Sequence, residues 1–133
     1  MNAWFADSFF FFALLNPEDE AHSRAMDIIN RLQTDLITTA WVLTEVADGL
    51  ASADNRGRFI ALLQFLRSNK HAILLPLDQS TFDRGVELYA ERPDKDWSLT
   101  DCISFVVMRE HGLKDALTGD HRFEQAGFKA LLK

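Results

Sequence analysis

The sequence predicts an α/β fold in which a parallel sheet is covered by helices on both faces. Short apolar or β-branched segments alternate with longer stretches of helical spacing, strand then helix, along nearly the whole chain. The length of 133 residues suits one domain, because a chain of this size buries roughly two thirds of its unfolded surface without a disulfide or metal staple. Residues 1–133 are therefore expected to form a single globular domain.

The elements follow in order. Ala3 to Ala6 is a short apolar strand stopped by Asp7. Asn16-Pro17 marks a turn and helix start, and Glu18, Asp19 and Glu20 suit a positive helix N-terminus. Ala21, Ala25, Ile28, Ile29 and Leu32 then repeat at helical spacing. Leu36-Ile37-Thr38-Thr39 is short and β-branched, hence a strand, and Ala40 to Ala51 reads as the next helix. Phe59, Leu62, Leu63 and Leu66 mark a helix ending near Asn69. Ile73-Leu74-Leu75 is a strand before Pro76, and Phe82, Val86 and Tyr89 share a helical face. Leu99 to Met108 is apolar on nearly every side, as a deeply packed helix would be. Ala116-Leu117-Thr118 is a short strand, His121 to Ala126 a short helix closed by Gly127, and Phe128 to Leu132 a last strand.

Composition excludes several classes. A 47% hydrophobic, 26% charged chain without low-complexity tract or repeat is not a disordered one. The longest apolar run, Phe9 to Leu15, is far shorter than the ~18 residues a membrane-spanning helix needs, and no basic segment precedes it. Neither a membrane span nor a signal peptide is expected. The single cysteine, Cys102, has no internal partner and suits a reducing compartment, so the cytoplasm is the expected location. A net charge of −6 argues against sequence-indifferent nucleic-acid binding through a broad basic face. It leaves a nucleic-acid enzyme open, because acids that converge on a bound cation invert the local charge.

Ligand sites in parallel sheets form at the carboxyl ends of the strands. Asp7 and Asp120 directly follow strands, Glu45 lies about one and a half turns into the helix after the second strand, and Asp101 stands in the first turn of the buried helix. All four can face one crevice. Each has a structural alternative. Asp7 and Asp120 occupy positions where aspartate caps a helix, and Ser98-Leu99-Thr100-Asp101 has the spacing of a capping box. Glu45 is the hardest to explain structurally, set among Val42, Leu43, Val46 and Ala47 with only Asp48 as a charged neighbour. Four such positions with few basic partners read as a carboxylate cluster for a divalent cation.

Phe5-Ala6-Asp7-Ser8, Thr38-Thr39 through Leu43-Thr44-Glu45-Val46, Trp97 through Cys102, and Ala116 through Phe123 together resemble a PIN-domain ribonuclease of the VapC-like toxin type. The likeness runs from Asp7 to Gly127-Phe128 and includes Ala13 to Pro17 with Asp19, His22 and Ala25. The resemblance implies a three-layer α/β/α sandwich with a mainly parallel central sheet, Mg²⁺ or Mn²⁺ held by the acids, and cleavage of single-stranded or looped RNA. It further implies a small antitoxin as partner and a homodimer. Asp7, Glu45, Asp101 and Asp120 match the family's acidic positions, with Ser8 and Thr118 as hydroxyl supports. The run Phe9 to Phe12 departs from the pattern in being unusually rich in phenylalanine.

The chemistry agrees independently of the family. Hard cations such as Mg²⁺ take carboxylate and water oxygens, lower the pKa of a bound water and offset charge developing on phosphate. Asp7 and Asp101 are the candidates for direct contact with the ion. Glu45 and Asp120 are candidates for contact through water, for a second ion, or for positioning the attacking water. His22, His71, His111 and His121 show no zinc-type pairing, and only His121, beside Asp120, is placed for RNA contact. Arg92, Lys95 and Arg122 read first as solvated surface and second as phosphate contacts, and Asp94 and Asp96 first as solvated loop acids and second as an extra outer-shell acid. Cys102 reads as a small core residue.

Four consecutive phenylalanine rings cannot all point inward from one helix, so the run must also meet neighbouring elements or another chain. Two rival functions remain. A phosphoaspartyl enzyme or receiver domain would need a second acid that Phe9 replaces, or an acid pair before Asp7 that is missing. A catalytically silent PIN-like module that binds RNA or assembles into a complex is the stronger alternative.

Overall fold

The computed structural model describes residues 3–133. The chain runs β1 (Ala3–Ala6), α1 (Ser8–Leu15), α2 (His22–Asn30), β2 (Asp35–Thr39), α3 (Ala40–Gly49) and α4 (Arg56–Ser68). It continues β3 (Ala72–Leu75), α5 (Gln79–Glu91), α6 (Leu99–Glu110), β4 (Asp115–Leu117), α7 (His121–Gln125) and β5 (Lys129–Ala130). The five strands form one sheet in the order β3-β2-β1-β4-β5, and every pairing is parallel. Helices flank this sheet in the expected α/β/α arrangement. Right-handed crossovers put the helices of the β1-to-β2 and β2-to-β3 connections on one face, and those leading to β4 and β5 on the other.

β1 is central because its neighbours are nearly all apolar. Phe5 and Ala6 are fully buried, as are Leu36 on β2 and Ala116 and Leu117 on β4. The Thr38 hydroxyl donates to the Ala6 carbonyl at 2.8 Å, tying β2 to the end of β1. On the α6 side, Phe105 meets Trp97 and Phe123 edge to face at 5.0 and 4.9 Å between ring centres, an arrangement that suits the ring quadrupoles. Leu99 to Met108 proves to be the deeply packed helix expected, with Cys102 through Met108 all buried.

The phenylalanine run forms α1, and its four rings divide. Phe10 and Phe11 are fully buried, whereas Phe9 and Phe12 are half-buried and pack at the core's edge. No ring is left exposed, so the run is core packing rather than a bare partner surface. Several boundaries differ from the sequence expectation, most by one or two residues, and three have a visible cause. α2 begins at His22, because Asn16 and Asp19 use their side chains to accept from the Glu18 and Ala21 amides and hold the preceding segment as a turn. Thr118 lies beyond β4, its amide turned to the Ala116 carbonyl. The last strand pairs only over Lys129–Ala130, since β5 is an edge with one neighbour. Gly127 closes α7 at φ 97°, the left-handed conformation that favours glycine.

α5 and α6 approach closely at Gly85. A Cβ there would run into Ile103 Cγ1 and lie 3.2 Å from the Ile103 backbone Cα. Ile103 is buried and β-branched and has no room to move aside. Overpacking at Gly85→Ala is expected to cost about 1–3 kcal/mol against the ~1 kcal/mol that alanine contributes as a helix former, a net destabilisation of up to about 2 kcal/mol. Urea unfolding with a lowered midpoint and unchanged slope checks this.

Candidate active site

Strand register builds the site. Ala6 on β1 pairs with Leu117 on β4, so the next residues, Asp7 and Thr118, emerge side by side. The connections from β1 and β4 leave toward opposite edges of the sheet, which makes their carboxyl ends the switch point at which such sheets bind ligands. There the buried Thr118 hydroxyl donates to Asp7 Oδ2 at 2.9 Å and accepts the Asp120 amide at 3.0 Å. One hydroxyl thus fixes both strand-end aspartates.

Asp7 stands at the N-cap position of α1 but makes no side-chain cap hydrogen bond. It is 6% exposed, and its Oδ1 is fully buried without a partner. Burial pushes its carboxyl up to about 8, the Thr118 hydroxyl and the nearby Phe10 amide oppose the rise, and the charges of Asp120 and Asp101 add to it. An orphaned buried carboxylate oxygen is costly unless something engages it.

The capping alternatives are realised at the two other aspartates. Ser98 and Asp101 form a reciprocal capping box, each side chain accepting from the other's amide at 3.0 Å. The Asp101 carboxyl is nevertheless raised, first by burial and further by the charges of Asp120 and Glu45. Asp120 caps α7 by accepting the Arg122 amide at 2.9 Å. Its carboxylate also pairs with Arg122 Nη1 at 3.2 Å, and His121 Nδ1 lies 3.6 Å away. Glu45 is half-buried on α3, between the buried Leu43 and Val46. Ser8 opens α1 without a side-chain hydrogen bond to these acids among the described residues.

The four acids thus share one electrostatic neighbourhood. Among the described residues, however, no three of His, Cys, Asp and Glu converge tightly enough to hold one ion directly. Clustered carboxylates repel one another, and each aspartate is turned to a nearby hydrogen-bond donor instead. The donor set still fits a hard cation: carboxylate oxygens, one of them buried and unpartnered, with a hydroxyl fixing its twin.

Sequence reasoning underrated Arg122. Its guanidinium joins Asp120 to Asp96, reaching the Asp96 carboxylate at 3.0 Å, so Asp120 does have a basic partner. The available signal was an arginine two residues after a strand-end aspartate, where the first helical turn carries it back over the cap. His71 pairs with Asp35 at 3.3 Å, at the opposite end of the sheet, and His22 Nδ1 lies 2.8 Å from the Ala13 carbonyl, tying α2 to α1. Cys102 is buried, and its thiol is pushed up to about 11 by burial and the Asp101 charge, as suits a core residue.

A three-layer domain with acids gathered at the switch point of a parallel sheet is the class that fold and site define. A family model described as PIN domain matches residues 5–129, and the chain belongs to that family. The fold is similar to VapC20 of Mycobacterium tuberculosis, a sarcin-ricin loop cleaving toxin, with TM-score 0.84 and 24% identity over 96% of each chain. It is similar to VapBC2 from Rickettsia felis, solved bound to a DNA fragment from their promoter, with TM-score 0.69 and 10% identity over 97% of each chain. It also resembles FitAcB from Neisseria gonorrhoeae, with TM-score 0.63 and 20% identity over 97% of this chain and 95% of that one. Among curated proteins no sequence matches significantly.

The raised Asp7 pKa has a consequence for stability. The unfolded chain loses this proton near 3.8 while the folded chain keeps it to about 8, so the contribution is fully present below 3.8 and is lost as pH rises through 8. With chelator present, Asp7→Asn should therefore gain stability relative to wild type as pH rises across that window, by up to about 1.4 kcal/mol per pH unit. Urea unfolding of both proteins at several pH values measures the difference, which a normally titrating Asp7 would leave flat.

Proposed function

We propose that this chain is a Mg²⁺- or Mn²⁺-dependent endoribonuclease, the toxin of a toxin–antitoxin pair, working in the cytoplasm. The observation that carries the reading is the buried Asp7 carboxyl, with an orphaned oxygen at the switch point of a PIN-domain sheet and the charges of Asp101 and Asp120 bearing on it. The fold's similarity to a sarcin-ricin loop cleaving toxin supports RNA as the substrate class. Similarity to VapC-type structures supports an antitoxin as partner, and the family resemblance adds a second copy of the chain. No helix among the described residues is long and apolar enough to cross a membrane.

Asp7 and Asp101 would hold the ion, with Glu45 and Asp120 completing its surroundings. When bound, a hard divalent cation supplies a more acidic water nucleophile and offsets charge on the phosphate oxygens. The chain's residues do the positioning. Thr118 fixes Asp7 Oδ2, while Oδ1 has no protein partner that a cation would have to displace. Ser98 fixes Asp101 Oδ2 in the capping box. Glu45, on a rigid helix, supplies a carboxylate whose charge already acts on Asp101. Arg122 holds Asp120 through its carboxylate, and the Thr118 hydroxyl holds it through its amide.

Purified protein incubated with a panel of structured RNAs and Mg²⁺ or Mn²⁺ should cleave at least one of them. Chelator should abolish cleavage, and Asp7→Asn, Glu45→Gln and Asp101→Asn should each lower it by about 100-fold or more. Cleavage that survives chelator or all three substitutions would sink the mechanism. Loss of both cleavage and metal binding would favour the silent RNA-binding module.

Because a cation must displace the Asp7 proton, Mn²⁺ affinity should rise between about pH 6 and about pH 8. Calorimetry in buffers of different ionisation enthalpy should record net proton release near neutral pH. Both signals should be lost in Asp7→Asn.

A further inference from the structure

The turn between α5 and α6 borders an open cavity of 530 Å³, lined by Tyr89, Arg92, Lys95, Asp96, Trp97 and Cys102 among others. Its size is within the ~300–1,000 Å³ range of small-ligand sites. Its wall is linked to the site through one side chain: the Asp96 carboxylate is bonded to Arg122, whose other nitrogen holds Asp120.

Arg92 is unusually fixed for a surface arginine. Its guanidinium lies 5.1 Å from the centre of the Trp97 ring, and its Nε and Nη2 engage the two Asp94 oxygens at 3.0 Å each. Trp97 is itself anchored, 5% exposed, stacked edge to face on Phe105 and donating its indole N–H to Gln125 at 2.9 Å. A planar cation held from beneath and from one edge, with its side chain still 40% exposed, is a ready platform for a flat ring. Tyr89, 52% exposed, offers a second ring on the same cavity. Asp94 is engaged by Arg92 and Asp96 by Arg122, which leaves Lys95 between them without an ion pair among the described residues.

We propose that this cavity is a nucleotide subsite, in which a base of single-stranded RNA flanking the scissile phosphate stacks on Arg92 and Tyr89 while Lys95 meets the adjoining phosphate. Arginine planes and aromatic rings hold unpaired bases in this way, and lysine serves as a point charge for phosphate. The inference rests on the nuclease reading and adds the residues that set which nucleotide sits beside the cut. It also reconciles a chain of net charge −6 with a polyanionic substrate, because binding uses a small local platform instead of a broad basic face.

The test uses the full chain carrying Asp101→Asn, so that RNA survives, with Mg²⁺ and a short fluorescein-labelled single-stranded RNA of mixed sequence. Binding is read by fluorescence anisotropy across a range of salt, and thermal unfolding confirms that every variant is folded. Arg92→Ala should weaken binding about tenfold and Tyr89→Ala by a similar factor, as expected for loss of one stacking contact. Arg92→Lys should fail to restore affinity, because charge without the guanidinium plane makes no platform. Lys95→Ala should reduce the slope of log affinity against log salt by about 0.7, the value for one single-strand phosphate contact. In the Asp101-intact background, the Arg92 and Tyr89 variants should shift the nucleotide preference at the cleavage site.

If wild type cleaves RNA in a Mg²⁺-dependent way while the Arg92 and Tyr89 variants bind and cleave like their parents, the subsite is overturned and the nuclease reading stands. Full rescue by Arg92→Lys overturns the stacking platform. Unchanged RNA binding with lost binding of a protein partner assigns the cavity to that partner and overturns the subsite. Absence of both cleavage and RNA binding in wild type overturns the two proposals together.

Discussion

The hydrogen bond between the Thr118 hydroxyl and Asp7 is the constraint on which the rest of the site depends. It exists because β1 and β4 are parallel neighbours in a fixed register, Ala6 opposite Leu117, so residues more than a hundred apart in sequence emerge together. A slip of one residue would turn Asp7 and Thr118 to opposite faces. The same hydroxyl accepts the Asp120 amide, so Asp120 is positioned by the bond that holds Asp7. The apolar sheet and the carboxylate site are therefore specified by one feature, the pairing of the two central strands.

Burying Asp7 works against folding. Its Oδ1 has no protein partner, and its carboxyl is driven toward the neutral form. Proteins retain such groups where function needs them and offset the cost elsewhere. Here the offset is the packing around the strand ends. Phe5, Phe10 and Phe11 are fully buried next to Asp7 in the chain, and Phe105 stacks between Trp97 and Phe123. The half-buried Phe9 covers Gly119, where a Cβ would come 2.5 Å from its ring. The phenylalanine-rich departure from the family pattern thus holds the Thr118-Gly119-Asp120 turn against the core.

Much of the architecture was legible in the sequence because the periodicities are clean. Short apolar and β-branched segments marked β1 through β4, and 3.6-residue spacing marked the long helices. Where tertiary context overrode local pattern, boundaries moved: the Asn16 and Asp19 side chains delayed α2, and the edge position of β5 left only Lys129–Ala130 paired. The capping roles of Asp101 and Asp120 were equally legible, since a capping box and an N-cap are local motifs, and both are formed. The link from Arg122 to Asp96 was not, because which carboxylate a long cation reaches depends on how α7 packs against the turn before α6.

By itself, then, the sequence determined the α/β class, the chain positions of the four acids and the family pattern, because these depend on residue type and spacing. Only the tertiary structure decided that those acids are unequal. Asp7 is buried with an orphaned oxygen, Asp101 commits Oδ2 to its capping box, Asp120 gives both oxygens to Arg122, and Glu45 stands half-buried on its helix. Burial, strand register and charge proximity set these differences. They exist only once β1 and β4 lie side by side.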